Sequence, residues 1–347
     1  MSRLAEVRAA ARCYVIGEAG SNHNGDWALA EQLVDAAASA GCDAVKFQAF
    51  RAERLYPRGA GTADYLGDPE DIYDIVARME LPSAWLPRLH ELAAAAGVDL
   101  LVSVFDEDSA SLVDRYVPAH KVASYELTHA PLVRRVAELG KPLIVSTGAA
   151  TRDEIESALS GAREAGATDI TLLQCTAAYP SPLEAVNVAA IADLRVTFGV
   201  DVGFSDHSLD PVIAPVLAIA YGATIIEKHF TLDRSLPGPD HRFALEPDEL
   251  ETMVKGIRDA ESARGSGRKE VHAREEELRA FARRSVFAVR DIPAGGQFDS
   301  SNLAVLRHGK RGQGLEPSRY VEVIGRRATH AISANSPVLA EDVEWTS

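Results

Sequence analysis

Three cysteines, a deficit of positive charge and the lack of any long apolar run set the first limits on this chain. Cys13, Cys42 and Cys175 are odd in number, show no CxxC spacing and sit in apolar, strand-like contexts. Buried free thiols in a reducing compartment are therefore expected rather than a disulfide framework. No apolar run reaches membrane-spanning length, and the opening MSRLAEVRAAARCYVIGEAG lacks a signal-type apolar core followed by a small-residue cleavage site. A cytoplasmic protein with no membrane partner is expected. With 36 Lys and Arg against 51 Asp and Glu, the formal net charge is -15. That balance argues against nucleic acid as a partner, since a phosphate-neutralising surface is basic, but a local pocket of Lys and Arg still suits a small anion. No GxGxxG turn follows the first strand, which counts against an open, doubly wound dinucleotide-binding sheet.

What is present is ordinary for a globular protein: 46% hydrophobic and 25% charged residues over 347 positions. That length fits one large α/β domain plus a small second one. The organising stretch is VGFSDHSLDPVIAPVLAIAYGATIIEKHFT, residues 202 to 231. It reads as strand, helix and strand, with Ser205-Asp206-His207 closing the first strand and Glu227-Lys228-His229 the second. Parallel strands joined by a crossover helix present their carboxyl ends on one side, so His207 and His229 are expected to emerge together. An isolated histidine is more often a polar residue satisfied locally. Two at matched positions make half of a divalent metal site.

The same alternation runs through the chain. Strands are expected at Tyr14 to Ala19, Asp43 to Gln48, Asp99 to Phe105, His120 to Ser124, Pro142 to Ser146 and Asp169 to Cys175, with helices between them. Period two puts Lys46 and Gln48 on one face of the second strand and Val45 and Phe47 on the other. Asp26 is placed to cap a helix, and Thr151 with Glu154 forms a capping box. Arg51 to Leu81, with Pro57, Gly59, Gly61, Gly67 and Pro69, reads as a long irregular excursion or lid. Eight strands each followed by a helical segment predict a closed (β/α)8 TIM barrel over residues 1–265. A charged linker is expected over 266–284, and a small β-rich module over 285–347, in which Asp291-Ile292-Pro293-Ala294-Gly295 echoes Ala331-Ile332-Ser333-Ala334-Asn335.

Eight short motifs, in order, resemble the sialic acid (nonulosonate) synthase family over essentially the whole chain. They are SNHNG (21 to 25), AVKFQ (44 to 48), KVASYE (121 to 126), STG (146 to 148), CTAAYP (175 to 180), GFSDHS (203 to 208), EKHFTLDR (227 to 234) and GPDHRFALEPDEL (238 to 250). The C-terminal module looks like the antifreeze-like (SAF) domain of these enzymes. The resemblance implies condensation of phosphoenolpyruvate with the aldehyde form of an N-acylated hexosamine, giving a nine-carbon 2-keto acid and phosphate. It implies a manganese or magnesium ion on His207 and His229. It also implies a domain-swapped homodimer, in which Arg307 of one subunit reaches the sugar held by the other.

Chemistry assigns roles alongside the resemblance. Phosphoenolpyruvate is a compact anion, and Lys46, Lys121, Ser103, Ser146 and Ser205 are strand-end cations and hydroxyls suited to it. A barrel lysine without an anion is costly to bury. Glu126 is placed to stabilise the cation that develops at the enol carbon, or to position water as a base; the bland reading is a salt bridge to a lysine. By resemblance Asp240 is an acid near the sugar, Tyr179 lies at the phosphate end, and Gln48 is a polar contact on the metal or sugar side; Asn24 and Ser124 join the substrate-binding set.

Several positions depart from the family pattern. KVASYE stands where neuraminate-making members commonly read KIGSGE, and Ala123 and Tyr125 look closer to the pseudaminate-making branch, whereas the Asp240-His241 pair in GPDHRF looks more like the neuraminate or spore-coat branches. Asn24 stands where some members have a glutamate, Ala177 where some have an asparagine, and His308 where proline is usual. These changes leave the phosphoenolpyruvate and metal machinery standing and open the identity of the sugar, including a diacetamido-trideoxyhexose as acceptor. Two rival functions remain on the same fold: an aldolase using Lys46 or Lys121 as a Schiff-base amine, and a non-catalytic sugar-binding protein.

Overall fold

Eight short apolar runs become eight parallel strands: β1 (Tyr14–Gly20), β2 (Ala44–Ala49), β3 (Asp99–Val104), β4 (His120–Val122), β5 (Leu143–Ser146), β6 (Ile170–Cys175), β7 (Asp201–Asp206) and β8 (Ile225–His229). Each pairs with the next, and β1 pairs with β8, so the sheet closes into a barrel. The computed structural model describes residues 2–62 and 69–345. Gly67, one of the turn formers in the expected excursion, lies outside the described residues. The chain divides into two units, Met1–Ser266 and Gly267–Ser347.

Helices α1 (Arg3–Ala9), α2 (Trp27–Ser39), α3 (Ala52–Leu55), α4 (Ile72–Arg78), α5 (Leu86–Ala96), α6 (Glu107–Val113), α7 (Ala130–Glu138), α8 (Arg152–Glu164), α9 (Ala190–Phe198), α10 (Ile213–Ala220) and α11 (Pro247–Arg264) belong to the first unit. Asp26 caps α2 by accepting from the Ala28 N–H, and Thr151 with Glu154 closes the capping box on α8. Outward-facing strand residues such as Val45, Phe47, Val102 and Val104 join Leu33, Leu89, Leu132 and Leu250 of the helices in the main core. Strand alternation thus sends apolar side chains into the helix layer and leaves the other face to the barrel interior. All three cysteines are free and buried.

The interior is stacked from the bottom. Tyr14, Ile16, Ala44, Leu101, Ala119, Ile144, Leu173 and Ile225 form an apolar floor, and Leu4 and Val7 of α1 join the same cluster. Asp99 fixes this plug by accepting the backbone N–H of Arg3 at 3.0 Å and of Leu4 at 2.7 Å. Gly203 is obligatory in this layer, because a Cβ there would stand 2.5 Å from the Ile225 carbonyl oxygen and 2.6 Å from Leu173 Cδ2.

The stretch from Arg51 to Leu81, expected to be irregular, contains α3 and α4. Its many prolines and glycines mask a local helical pattern: Asp71 accepts from the Tyr73 N–H at 2.9 Å, and Ile72, Tyr73 and Val76 pack on Phe50 and Ala52. Tertiary burial of one apolar face is what holds so short a helix. Among the described residues no helix is long and apolar enough to cross a membrane.

The second unit holds an antiparallel sheet, β10 (Leu303–Arg307), β9 (Arg284–Ala288) and β11 (Ser336–Pro337) in spatial order, around Val286, Phe298, Val323 and Val338, with a short α13 (Tyr320–Val323). The two echoing segments meet: Ile292 and Ile332 exchange both backbone hydrogen bonds at 2.8 Å. The charged stretch read as a linker carries α12 (Glu276–Ala282) and is tied to the module, because His308 Nε2 bonds the Ala280 carbonyl oxygen at 2.5 Å and Gly309 N–H bonds the Phe281 carbonyl at 3.0 Å. His308 thus has a local role: it holds the end of α12.

Candidate active site

One step of two residues above the apolar floor, the barrel interior turns polar. Glu18, Lys46, Ser103, Lys121, Ser146, Ser205 and Glu227 are all at most 5% exposed. Lys46 Nζ lies 2.7 Å from Glu18 Oε2, donates to Ser103 Oγ at 2.7 Å and stands 3.6 Å from Glu227 Oε2. Lys121 Nζ donates to Ser146 Oγ at 2.7 Å and to the Val122 carbonyl at 3.0 Å, with Glu227 Oε1 at 3.9 Å. Ser205 donates to Glu227 Oε1 at 2.9 Å. Glu227 therefore lies between the two lysines. Burial works against its charge, but Lys121 and Lys46 outweigh it and hold the carboxyl down to about 2.

The two lysines respond differently to the same layer. Burial pulls Lys46 down, and Glu18 and Glu227 more than offset it, leaving the ammonium harder to deprotonate than usual. Lys121 is left below the ordinary lysine range, because burial outweighs the pull of Glu227. Burial raises Glu18, with Lys46 opposing; the Glu18 carboxylate also accepts from Gln48 Nε2 at 2.7 Å.

At the mouth, Glu126 follows β4 in a single turn of 3-10 helix. Its Oε2 is buried without a hydrogen-bond partner, and burial pushes its carboxyl up to about 7. A carboxyl poised there is suited to moving a proton near neutral pH. Among the described residues no lysine or arginine forms an ion pair with it within 4 Å, so the salt-bridge reading is not the arrangement seen. Asp240 is pushed up to about 6, by burial first and then by Glu18. Ser124 accepts the Gly148 N–H at 3.0 Å and faces Cys175 Sγ at 3.6 Å.

The two histidines meet as the βαβ reading requires, with ring centroids 5.4 Å apart. His207 Nδ1 bonds the Thr176 carbonyl at 3.0 Å, which fixes a proton on that nitrogen; burial lowers the ring's pKa but Cys175 and the Thr176 carbonyl outweigh it and leave it above the ordinary histidine value, so Nε2 offers a lone pair once that ring is neutral. His229 is driven well below the ordinary histidine range by burial, with His207 and Lys46 adding to it, so its ring is neutral. Its Nδ1 is buried without a hydrogen-bond partner, 3.8 Å from Asp240 Oδ2. Two neutral-capable imidazoles, one with an orphaned nitrogen, fit a divalent cation. Among the described residues no group of three His, Cys, Asp or Glu side chains is placed to hold an ion, so any remaining positions would fall to water or substrate. The Tyr179 ring packs, tilted, against His207 with centroids 4.4 Å apart and against Phe243 at 5.4 Å, which puts it beside the histidines.

Asn24 sits farther out, its Oδ1 3.3 Å from His241 Nε2. Arg307 ends β10 in the second unit and is exposed. The sequence reading missed Glu18 and Glu227 as site residues. Both could have been found by counting in twos: Glu18 is in register with Lys46 and with His229, and Glu227 with Ser205. The same count explains Lys228, which points the other way and is spent on Asp206 at 2.5 Å.

Comparison with known proteins adds the following. The model of the NeuB family matches residues 33–269, and that of the SAF domain matches residues 283–344. The chain is 41% identical to the spore coat polysaccharide biosynthesis protein SpsE of Bacillus subtilis, over 95% of this chain and 93% of that one. The crystal structure of that protein superposes with a TM-score of 0.65, covering 97% of this chain and 96% of its own. The N,N'-diacetyllegionaminic acid synthase of Legionella pneumophila is 38% identical over 96% and 95% of the two chains. The pseudaminic acid synthase of Helicobacter pylori is 33% identical over 95% and 97%.

Proposed function

Since the chain belongs to the NeuB family, we propose that it is a nonulosonic acid synthase, a transferase joining phosphoenolpyruvate to the open-chain aldehyde of an N-acylamino sugar. The observation that carries this reading is the buried layer in which Lys46 and Lys121 each bond a serine on either side of Glu227, directly beneath two facing imidazoles. At the bottom of a closed barrel the Lys46 and Lys121 ammonium groups, balanced here by Glu18 and Glu227, supply the donors for an anion.

In this reading Lys46, Lys121, Ser103, Ser146 and Ser205 hold the phosphate and carboxylate of phosphoenolpyruvate. His207 and His229 hold manganese or magnesium, which when bound acts as a Lewis acid on the aldehyde oxygen. The methylene carbon of phosphoenolpyruvate bonds to the aldehyde carbon, whose oxygen gains a proton to become a hydroxyl. Asp240, beside His229 and pushed up to about 6, is the proton-bearing group at that oxygen. Glu126 then takes a proton from water as its oxygen adds to the cationic enol carbon. The resulting tetrahedral carbon expels phosphate with cleavage of its C–O bond, the new hydroxyl passing its proton to the departing phosphate, leaving the 2-keto acid. Arg307 is proposed to close the sugar site of a second copy of the chain.

Incubation with phosphoenolpyruvate, manganese and a panel of N-acylamino sugars tests the proposal. Phosphate release with a product whose mass is that of the sugar plus phosphoenolpyruvate plus water less phosphate, abolished by a chelator, is expected. Chelator-resistant turnover with borohydride trapping at Lys121, the lysine whose pKa burial depresses, would replace this reading with the aldolase one. Sugar binding without phosphate release would leave a binding protein.

A further inference from the structure

The outer faces of β7 and β8 carry a buried charge pair where other strands of the barrel present hydrocarbon to the helices. Lys228 and Asp206 are each 1% exposed and are the last residues paired between the two strands. Strand alternation turns them away from the interior that Ser205 and Glu227 share, so neither faces the reacting groups. We propose that Lys228 and Asp206 are positioning residues for the metal: together they hold the turn that carries His207 in the place, relative to His229, that a shared divalent cation needs. The inference rests on the reading of these histidines as metal ligands and adds to it the groups that keep them in register.

The sheet does not secure the two histidines equally. His229 ends β8 inside the ladder, in register with Glu18 of β1, and its carbonyl accepts the Leu245 N–H at 2.9 Å. His207 is the first residue past β7, beyond the last pair of the β7–β8 ladder. Its carbonyl accepts the Ser181 N–H at 2.9 Å, which ties it to the loop after β6 rather than to β8.

The tie to β8 is made by Lys228. Its Nζ donates to Asp206 Oδ2 at 2.5 Å, to the Ser208 carbonyl at 2.7 Å and to the Asp210 carbonyl at 3.0 Å, with Ser208 Oγ at 3.2 Å. Asp206 closes the turn from its other oxygen, Oδ1 accepting the Ser208 N–H at 2.8 Å. An ammonium has three protons, and here a carboxylate and two carbonyls take them. The residues on both sides of His207 are thus gathered onto one side chain of β8, and the next residue of β8 is His229.

A buried ion pair is seldom worth more than well-packed hydrocarbon of the same volume. Val45, Phe47, Val102 and Val104 fill outward positions on neighbouring strands with hydrocarbon. What the charged pair adds is direction, because aimed hydrogen bonds fix where the turn lies and apolar contacts let it slide. A metal site needs that precision: ligand distances must hold to within about 0.2 Å.

Removing Lys228 alone would strand a buried carboxylate, so the test removes both charges. Asp206→Asn combined with Lys228→Met keeps an oxygen for the Ser208 N–H and an unbranched side chain on β8, and it frees the turn from that strand. Titration calorimetry with manganese and no substrate is expected to show at least about fivefold weaker binding in the double variant. Affinity for phosphoenolpyruvate, titrated in the same way, is expected to fall by less than that for manganese, since the lysine layer lies on the other face; a general loosening of the barrel would lower both alike. A smaller loss of manganese affinity, or an equal loss for phosphoenolpyruvate, would overturn the inference alone. Hydrogen exchange of wild type needs no variant to fold. The Ser208 amide is expected to exchange at least about 100-fold slower than an unstructured amide before manganese is added, and to slow less than about threefold further on adding it. Faster initial exchange, or a larger slowing by manganese, would mean that the ion orders the turn and would overturn the inference. No manganese binding by wild type would remove the metal reading of the two histidines as well.

Discussion

Lys46 Nζ stands 2.7 Å from Glu18 Oε2, with the two side chains 3% and 1% exposed. Neither charge has appreciable water around it, so each depends on the other, and Glu227 at 3.6 Å is the nearest substitute partner for Lys46. A buried charge left without its partner is strongly destabilising even when the intact pair contributes little.

Glu18→Gln should therefore cost about 3 kcal/mol of stability. Urea unfolding measures it. Millimolar phosphate, by offering Lys46 a new anion, should restore more stability to the variant than it adds to wild type. A variant as stable as wild type without phosphate would mean that Glu227 already suffices.

Glu126 should set the acid limb of the pH profile. With its carboxyl at about 7 and the Asp240 proton lost above about 6, charged Glu126 and protonated Asp240 coexist most between the two values, so kcat should fall about tenfold per pH unit below about 6, and Glu126→Gln should flatten that limb while losing about 10²–10⁴ in rate. Stability should move the opposite way. The folded state holds the proton more tightly than the unfolded one, so wild type loses stability as pH rises from the ordinary glutamate range to about 7. Glu126→Gln escapes that loss and should be the more stable protein at pH 8, by up to about 3 kcal/mol. Thermal melts of both proteins across pH measure the crossover.

The imidazole pair should bind manganese without any substrate. Titration calorimetry should detect one site in wild type and at least about 100-fold weaker binding in His207→Ala and in His229→Ala. Retained affinity in either variant would assign the ion elsewhere.

Arg307→Ala should raise the KM for the sugar far more than that for phosphoenolpyruvate, and equal effects would remove its proposed role. If it acts across subunits, mixing Arg307→Ala with Glu126→Gln should recover activity that neither has alone. In a random mixture about a quarter of the sites carry both intact groups.

The barrel was legible because its signal is local: period-two strands, caps such as Asp26 and Thr151, and two histidines one βαβ unit apart. The buried carboxylates were not, because Glu18 lies within an otherwise apolar strand and Glu227 beside the more conspicuous Lys228 and His229. Their part is defined only by closure of the sheet, which brings β1 and β8 together across more than 200 residues of sequence. The helix within the 51–81 stretch was hidden for a related reason: Ile72, Tyr73 and Val76 are apolar positions whose value appears once Phe50 is beside them. His308 reads as an oddity until α12 is seen resting on it.

The plug formed by α1 makes the barrel a cul-de-sac. With Leu4 and Val7 sealing the far end, anything at the lysines enters and leaves by the rim that carries the two imidazoles. In the proposed reaction the anion would therefore arrive before the sugar and depart after it.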